Sequence, residues 1–340
     1  LNGVSGAAPI TRFDASNFKT QFACEVKGFD PLAYFDRKEA RKFDLVTQLG
    51  LASVTEVISD SKILESKFNP LRAGVIWATG IGGIITFEEE VKSFSKGDGS
   101  PRFNPFFIPK MIADITAGHI GIQYNFQGPN YATLSACASA GNAFADAINL
   151  IRLNKADVFI VGGSEAAISA SGVGGFNSMH AISTRNDSPK TASRPFDKDR
   201  DGFVMGEGGA ALILEELEHA LARGAKIYAE VAGTGLTADA YHITAPHPDG
   251  DGAYHAMRLA IEEAGVKLTD VDHINTHGTS TPVGDIAEPK AIVRLFGEHA
   301  YDIAVNSTKS MHGHLLGAAA AIEGIATILA IKNDIVPPTI

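Results

Sequence analysis

Four short, almost continuously apolar runs constrain this chain most: "AGVIWAT" (residues 73–79), "ADVFIVGG" (156–163), "IYAEVAG" (227–233) and "DIAVNST" (302–308). Each lies close to glycine or polar turn residues. A run without polar alternation has no face to give to water, so it predicts a strand buried on both sides. Between the runs the apolar residues change to helical spacing. "NAFADAINLIRL" carries Phe144, Ile148 and Ile151 in that pattern, and "AYHAMRLAIEEAG" carries Met257, Leu259, Ala260 and Ala264 before Gly265, a helix-ending residue. Strands alternating with helices predict an α/β architecture with largely parallel sheets. A second αβ half is expected to begin near Gly224, dividing the chain into residues 1–223 and 224–340, and the two halves need not be independent domains.

Composition narrows the class. With 340 residues, 45% of them hydrophobic, 20% charged and 35 glycines, the chain fits a large α/β body rather than a disordered or fibrous one. The stretch from Leu315 to Ile331 is apolar but interrupted by Glu323 and rich in Gly and Ala, which predicts a tightly packed interior helix and no membrane span. A net charge of −10 argues against non-specific binding to nucleic acid or anionic lipid. Locally the balance differs: "DRKEARKFD" (36–44) sets Arg37, Lys38, Arg41 and Lys42 against Asp36, Glu39 and Asp44, a weak basic face. Two cysteines, Cys24 and Cys137, are too few for a disulfide framework or a zinc ribbon and favour a reducing, cytoplasmic setting. No basic stretch with an apolar core stands near Leu1, so no targeting signal is expected.

Cys137 lies in "NYATLSACASAGNAF" (130–144), among small residues where an apolar run gives way to a helical pattern. If a helix begins just after it, unpaired N–H groups favour a thiolate there and later an oxyanion. Ser135, Ala136, Ala138 and Ser139 leave room for a substrate. A free cysteine is more often a small buried hydrophobe, as Cys24 is expected to be, so this feature alone decides nothing. Two histidine stretches, "INTHGTSTPVGD" (274–285) and "NSTKSMHGHLLGAAAA" (306–321), each follow a strand-like run and are flanked by Gly, Ser and Thr. His277 and His314 therefore occupy comparable strand-end loops from which they can converge. A cysteine with two histidines points to thioester chemistry.

Two patterns imitate metal sites. "DKDRDGFVMGEG" (197–208) opens like a calcium loop, but its twelfth position is Gly208, with Glu207 one place early, so a charged structural loop with internal Asp–Arg pairing is expected. The longer segment 185–202 reads as an ordered loop. His312, His314 and His277 have the residue types of a three-histidine zinc site, yet neither HExxH nor a CxxC pair accompanies them, and no metal is expected. "VGGSEAA" is not the GxSxG elbow of a serine hydrolase.

Taken in order, "SACASAG", "SRPFDKDRDGFVMGEG", "THGTSTPVGD" and "STKSMHGHLLGAAAA" closely resemble the β-ketoacyl-[acyl carrier protein] synthases, with the elongating synthase II type fitting best. The resemblance runs from about Phe13 to Ile340. It implies the thiolase fold, two similar βαβ-rich halves in five α–β–α–β–α layers, as a homodimer without metal or redox cofactor. The implied reaction is decarboxylative Claisen condensation of an acyl thioester with malonyl-[acyl carrier protein], the elongation step of type II fatty acid synthesis. Cys137 would accept the acyl group, and His277 and His314 would line the site where malonyl thioester loses carbon dioxide. Lys309 and Glu323 match a supporting ion pair. Thr279 and Thr281 match positions that contact the pantetheine arm, and Ile81 and Phe107 match the wall of an acyl tunnel. Acidic carrier protein is expected to dock near Arg41, Lys42 and Arg102.

Departures from the family pattern are local. Ala140 and Gly141 replace the more usual Gly followed by another residue, and His312 stands where threonine is common. The family continues past "IVPPTI" to a Gly-Phe-Gly-Gly loop and carries a first strand before the position of Leu1, so a longer natural polypeptide is expected. Other roles share the fold: a polyketide ketosynthase or an initiating synthase, and a non-catalytic chain-length factor, which generally lacks the nucleophile.

Overall fold

The computed structural model describes residues 1–340. Along the chain run β1 (Ala8–Pro9), β2 (Phe22–Ala23), α1 (Arg37–Ala40), α2 (Leu45–Ser61), β3 (Ala73–Ala78), α3 (Ile84–Ser95), α4 (Phe107–Met111), α5 (Ile115–Tyr124) and β4 (Asn130–Thr133). Then come α6 (Ser139–Arg152), β5 (Val158–Glu165), α7 (Ala170–Ser178), β6 (Gly208–Glu215) and α8 (Leu217–Ala222). The remainder carries α9 (Asp251–Ala264), β7 (His273–Asn275), α10 (Gly284–Phe296), β8 (Ala304–Asn306), α11 (Lys309–His312) and α12 (Ala319–Asn333).

The main sheet has the order β4-β3-β5-β6, parallel except for the β5–β6 pair. Every residue of β3 and β5 is buried, as continuous apolar runs require when both faces are covered. Helices α2 and α5 cover one face and α6 with α12 the other. On the far side of α12, Asn275 of β7 donates to the Glu323 carbonyl and the Thr327 hydroxyl, both at 3.3 Å. The parallel pair β7–β8 follows, and α9 and α10 close over it through Met257, Ile261, Ile274, Ile292 and Phe296. The order is thus helix, sheet, helix, sheet, helix, and the five-layer expectation holds.

Two sequence expectations need adjustment. Residues 227–233 form no strand: Ile227 and Val231 are exposed and the segment joins no ladder. An apolar run becomes a strand only where a neighbour pairs its N–H and C=O groups, so the second sheet contains just β7 and β8. The 18-residue stretch Leu316–Asn333 is long and apolar enough to cross a membrane by length and composition, with mean hydropathy 1.3. It packs against α6 and β6 with Glu323 paired to Lys309, but only a third of it is buried and Leu329 and Ile331 are exposed, so it is a partly covered helix rather than a tightly packed interior one.

The loop 185–202 contains one 3₁₀ turn, Pro189–Thr191, and is tied by Arg194–Asp197 at 3.1 Å and Arg185–Asp201 at 3.6 Å. Arg200 also donates to the carbonyls of Thr281 and Pro282. Glu207 is committed to Arg12 and to the Val26 N–H. These charges therefore hold one another, as the Asp–Arg reading expects.

Trp77 anchors the first sheet against α2. It is fully buried, and its indole N–H donates to Ser164 Oγ at 3.0 Å, which satisfies a polar atom that burial would otherwise strand. We expect Trp77→Ala to lower unfolding stability by about 3–5 kcal/mol, measured by urea denaturation. A loss below about 1 kcal/mol would contradict the packing described.

Candidate active site

The chain enters the site from β4. After Thr133 it turns sharply, with Ala136 at φ +50°, a left-handed conformation that non-glycine residues seldom adopt, and α6 starts at Ser139. Small side chains latch the turn. Ser139 Oγ donates to the Ala136 carbonyl at 2.7 Å and accepts from the Ser135 N–H at 2.9 Å, while Thr133 Oγ1 donates to the Ser139 carbonyl at 2.9 Å. Asn142 reaches back from the first turn of α6 to Ser135 Oγ at 2.7 Å. Cys137 is held at the tip, just ahead of a 14-residue helix, where the sequence pattern places it.

His314 comes from the other half. Gly313, at φ +71°, passes so close to Cys24 and the Val204 carbonyl that a Cβ would lie 3.1 and 2.9 Å from them, so the approach needs glycine. The His314 N–H donates to the Val204 carbonyl at 2.7 Å, and the His314 carbonyl accepts from the Gly206 N–H at 2.9 Å. Phe203 packs edge-on against the imidazole, with ring centroids 5.2 Å apart. The Leu316 N–H donates to Nδ1 at 3.2 Å, so Nδ1 carries the lone pair and Nε2 the proton. Nε2 stands 2.9 Å from Cys137 Sγ.

His277 follows β7, its backbone held by Glu288: one carboxylate oxygen accepts from the His277 N–H at 2.6 Å and the other from the Gly278 N–H at 2.8 Å. Its ring meets the His314 ring edge-on with centroids 5.2 Å apart. Cys137, His277 and His314 each bring a heteroatom within 4.8 Å of the other two, although 177 residues separate the first from the last. The three converge as the sequence suggests.

Beneath them lies Lys309, fully buried and ion-paired with Glu323. Burial first, and then the Lys309 cation, push the pKa of His314 well below that of a free imidazole; His277 and His312 add to the depression. His277 shifts the same way and for the same two leading causes. The residue as a whole keeps an exposed surface. Burial raises the Cys137 thiol, and Lys309 pulls it partly back. The helix start is therefore where the sequence puts it, and burial opposes the thiolate that it would favour. Cys24, pushed up to about 12 by burial, is inert packing.

The cluster offers metal-ligand atoms, but its spacing suits a hydrogen bond. Tetrahedral Zn–S and Zn–N bonds place S and N about 3.5 Å apart, whereas Sγ and Nε2 stand at 2.9 Å. His312 is not part of it. Its Nδ1 bonds to the Gly313 carbonyl at 2.7 Å and its Nε2 to Thr308 Oγ1 at 2.9 Å.

The remaining expected residues spread outward. Thr279 and Thr281 hydroxyls bond each other at 3.0 Å below His277 in sequence. Ile81, partly exposed, sits in the turn between β3 and α3, and Phe107 on α4 stacks with Phe87 of α3 and with Phe103 of the loop before α4. Lys42 lies 6.0 Å from the Phe106 ring, which brings the basic segment beside the 102–107 loop, and Arg102 pairs loosely with Asp98 at 3.3 Å. Phe203, Glu288 and Glu165 were not marked out by the sequence reading. A carboxylate closing a fully apolar strand run, as Glu165 does, was the available signal for one of them.

Residues 1–220 match the family model "Beta-ketoacyl synthase, N-terminal domain", and residues 228–340 match "Beta-ketoacyl synthase, C-terminal domain". A 3-oxoacyl-[acyl-carrier-protein] synthase 2 from Synechocystis sp. is 50% identical over 340 residues, covering 100% of this chain and 82% of that protein. Among solved structures, a beta-ketoacyl synthase from Burkholderia phymatum superposes with a TM-score of 0.87 at 33% identity, covering 97% of this chain and 80% of the other. A type II PKS acyl-carrier protein in complex with its ketosynthase bound to the hexaketide superposes with a TM-score of 0.89 at 32% identity, covering 99% and 82%. A thiol and two imidazoles brought together across two halves of a thiolase fold, with both family models matched in order, make this chain a member of the beta-ketoacyl synthase family.

Proposed function

We infer that the chain catalyses decarboxylative condensation of an acyl thioester with malonyl-[acyl carrier protein], the elongation step of type II fatty acid synthesis. The observation that carries this is the His314 Nε2–H held 2.9 Å from Cys137 Sγ by a fixed tautomer. In the first half-reaction Sγ attacks the acyl thioester carbonyl, the carrier sulfur leaves, and the thiol proton goes to it. The start of α6 faces the oxyanion that forms in between. In the second, the malonyl carbon–carbon bond breaks, carbon dioxide leaves, and the electron pair moves onto the thioester oxygen, where N–H groups of His277 and His314 stabilise the enolate. The enolate carbon then attacks the acyl–Cys137 carbonyl, Sγ leaves, and one proton restores the thiol. Splitting the transfer in this way makes two easier steps of one.

Fatty acid elongation is favoured over polyketide synthesis because identity is 50% to the synthase 2 relative and 32% to the polyketide ketosynthase. A chain-length factor would not need the assembled Cys137, His277 and His314. Acyl carrier protein is the proposed partner at Arg41, Lys42 and Arg102. Of the three acids that offset the basic residues of 36–44, Asp44 is buried against Thr86 while Asp36 and Glu39 stay exposed, so the exposed balance is somewhat more basic than the sequence tally. Thr279 and Thr281 are proposed for the pantetheine arm, Ile81 and Phe107 for the acyl tunnel. A homodimer is supported by β4, an edge strand beside Leu134 and Ile122, which are 55% and 81% exposed. Two free cysteines support a cytoplasmic setting. Division near Gly224 is supported by the end of α8 at Ala222.

The half-reactions should separate by residue. We expect Cys137→Ala to abolish the acyl mass increment on the protein. His277→Ala and His314→Ala should still acylate but lose about 10²–10³ in malonyl decarboxylation; decarboxylation surviving both changes would contradict the assignment.

Acidity gives a second test. Protonation of His314 at Nδ1 would break its bond from Leu316 N–H, and its depressed pKa delays that protonation as pH falls. Decarboxylation should therefore stay flat through about pH 6.5, the ordinary imidazole value, and decline only further down. A half-loss centred there would contradict the reading.

Docking gives a third. Arg41→Glu with Lys42→Glu should lower kcat/KM for carrier substrates about tenfold or more at low salt, and unchanged carrier use would remove the docking proposal.

A further inference from the structure

Glu165 closes β5 and is completely buried without a cationic partner. Its Oε2 accepts from the Gly80 N–H at 2.6 Å and from the Gly317 N–H at 3.0 Å, and its Oε1 accepts from the Thr79 hydroxyl at 3.2 Å. Thr79 Oγ1 in turn accepts from the Gly82 N–H at 3.0 Å. One carboxylate thus joins two turns that come from opposite ends of the sequence. The first turn carries Ile81. The second carries Leu316, whose N–H sets the His314 tautomer one residue before the Gly317 N–H that Glu165 holds.

The turns touch so closely that a Cβ at Gly317 would stand 2.1 Å from the Gly80 nitrogen. The Gly80 and Gly317 N–H groups converge on one oxygen, and nothing but Glu165 Oε2 is bonded to both. Placing an unpaired carboxylate here costs desolvation that an apolar residue would avoid. A purely packed contact between the turns gives no reason to meet that cost.

We propose that Glu165 is a positioning residue for the condensation: it ties the Ile81 turn to the Leu316–Gly317 turn, and so holds His314 with Nε2–H facing Cys137. The proposal rests on the condensing function inferred above. Burial pushes the Glu165 carboxyl up to about 7 against the donors Gly80, Gly317 and Thr79. Both protonation states keep Oε2 free for the two amides, with Oε1–H able to turn to Thr79, so the hold does not depend on charge.

Three variants test this: Glu165→Ala removes the acceptor, Glu165→Asp shortens it by one methylene, and Glu165→Gln keeps an oxygen for the two amides. Each is assayed for malonyl-carrier decarboxylation, for acyl–Cys137 formation by mass, and for His314 ring nitrogen shifts by ¹⁵N NMR. We expect Ala and Asp to lower decarboxylation kcat about 10- to 100-fold with KM little changed. Acylation should persist, and the ring shifts should move from the Nε2–H tautomer toward a mixture. Glu165→Gln should restore kcat to within about threefold and keep the wild-type shifts. If the Ala protein fails to fold, the Asp protein carries the same expectation. Wild-type kcat and shifts in the Ala or Asp protein would overturn the proposal, as would a Gln protein that loses as much as they do. Wild-type protein unable to decarboxylate malonyl carrier would overturn the functional reading instead, and the nitrogen shifts would still decide the positioning claim.

Discussion

A buried lysine beside a thiol and three imidazoles is the interaction on which the site depends. Lys309 is enclosed and matched by one carboxylate, Glu323, on α12. Its cation opposes protonation of His277, His312 and His314, and it offsets part of the burial that raises the Cys137 thiol. One charge therefore acts in both useful directions: it keeps the imidazoles neutral and makes the sulfur easier to ionise. Isolated, such a charge would be very costly in the interior, and the pair is stable only because both partners are fixed. Burial likewise raises the Glu323 carboxyl, and Lys309 lowers it again.

The fold supplies that fixity through its layers. Helix α12 belongs to the second half of the sequence but packs on α6 and the first sheet, while β7 bonds to its other side. Glu323 is thereby set below a cysteine on one half and histidines on the other. The turn before α6, latched by Ser139 and Thr133, meets the His314 segment, which is bonded to residues 204–206. Neither half contains the site alone.

Much of this was legible in the sequence because motif and structure coincide. Cys137, His277 and His314 sit among Gly, Ser and Thr, residues that make tight turns and leave space, and the structure uses them so. The strands at 73–78 and 158–165 were readable because both faces are buried. The run at 227–233 has the same composition and forms no strand, since pattern carries no information about a pairing neighbour. Helix α2 was not marked out: Gly50 and its β-branched residues dilute helical propensity, and its apolar residues are not confined to one stripe. Glu165 and Glu288 act through backbone N–H groups distant in sequence, a partnership that residue type and spacing do not encode.

The account requires bond cleavage in malonyl and bond formation to the acyl group to be coupled at one site. The direct measurement is stoichiometry: wild-type protein, acyl carrier and malonyl carrier are mixed, and carbon dioxide and β-ketoacyl carrier are quantified together over one time course. The account predicts equal amounts, with neither formed when malonyl carrier is omitted. Carbon dioxide released without β-ketoacyl product from fully acylated protein, or no release at all, would contradict it.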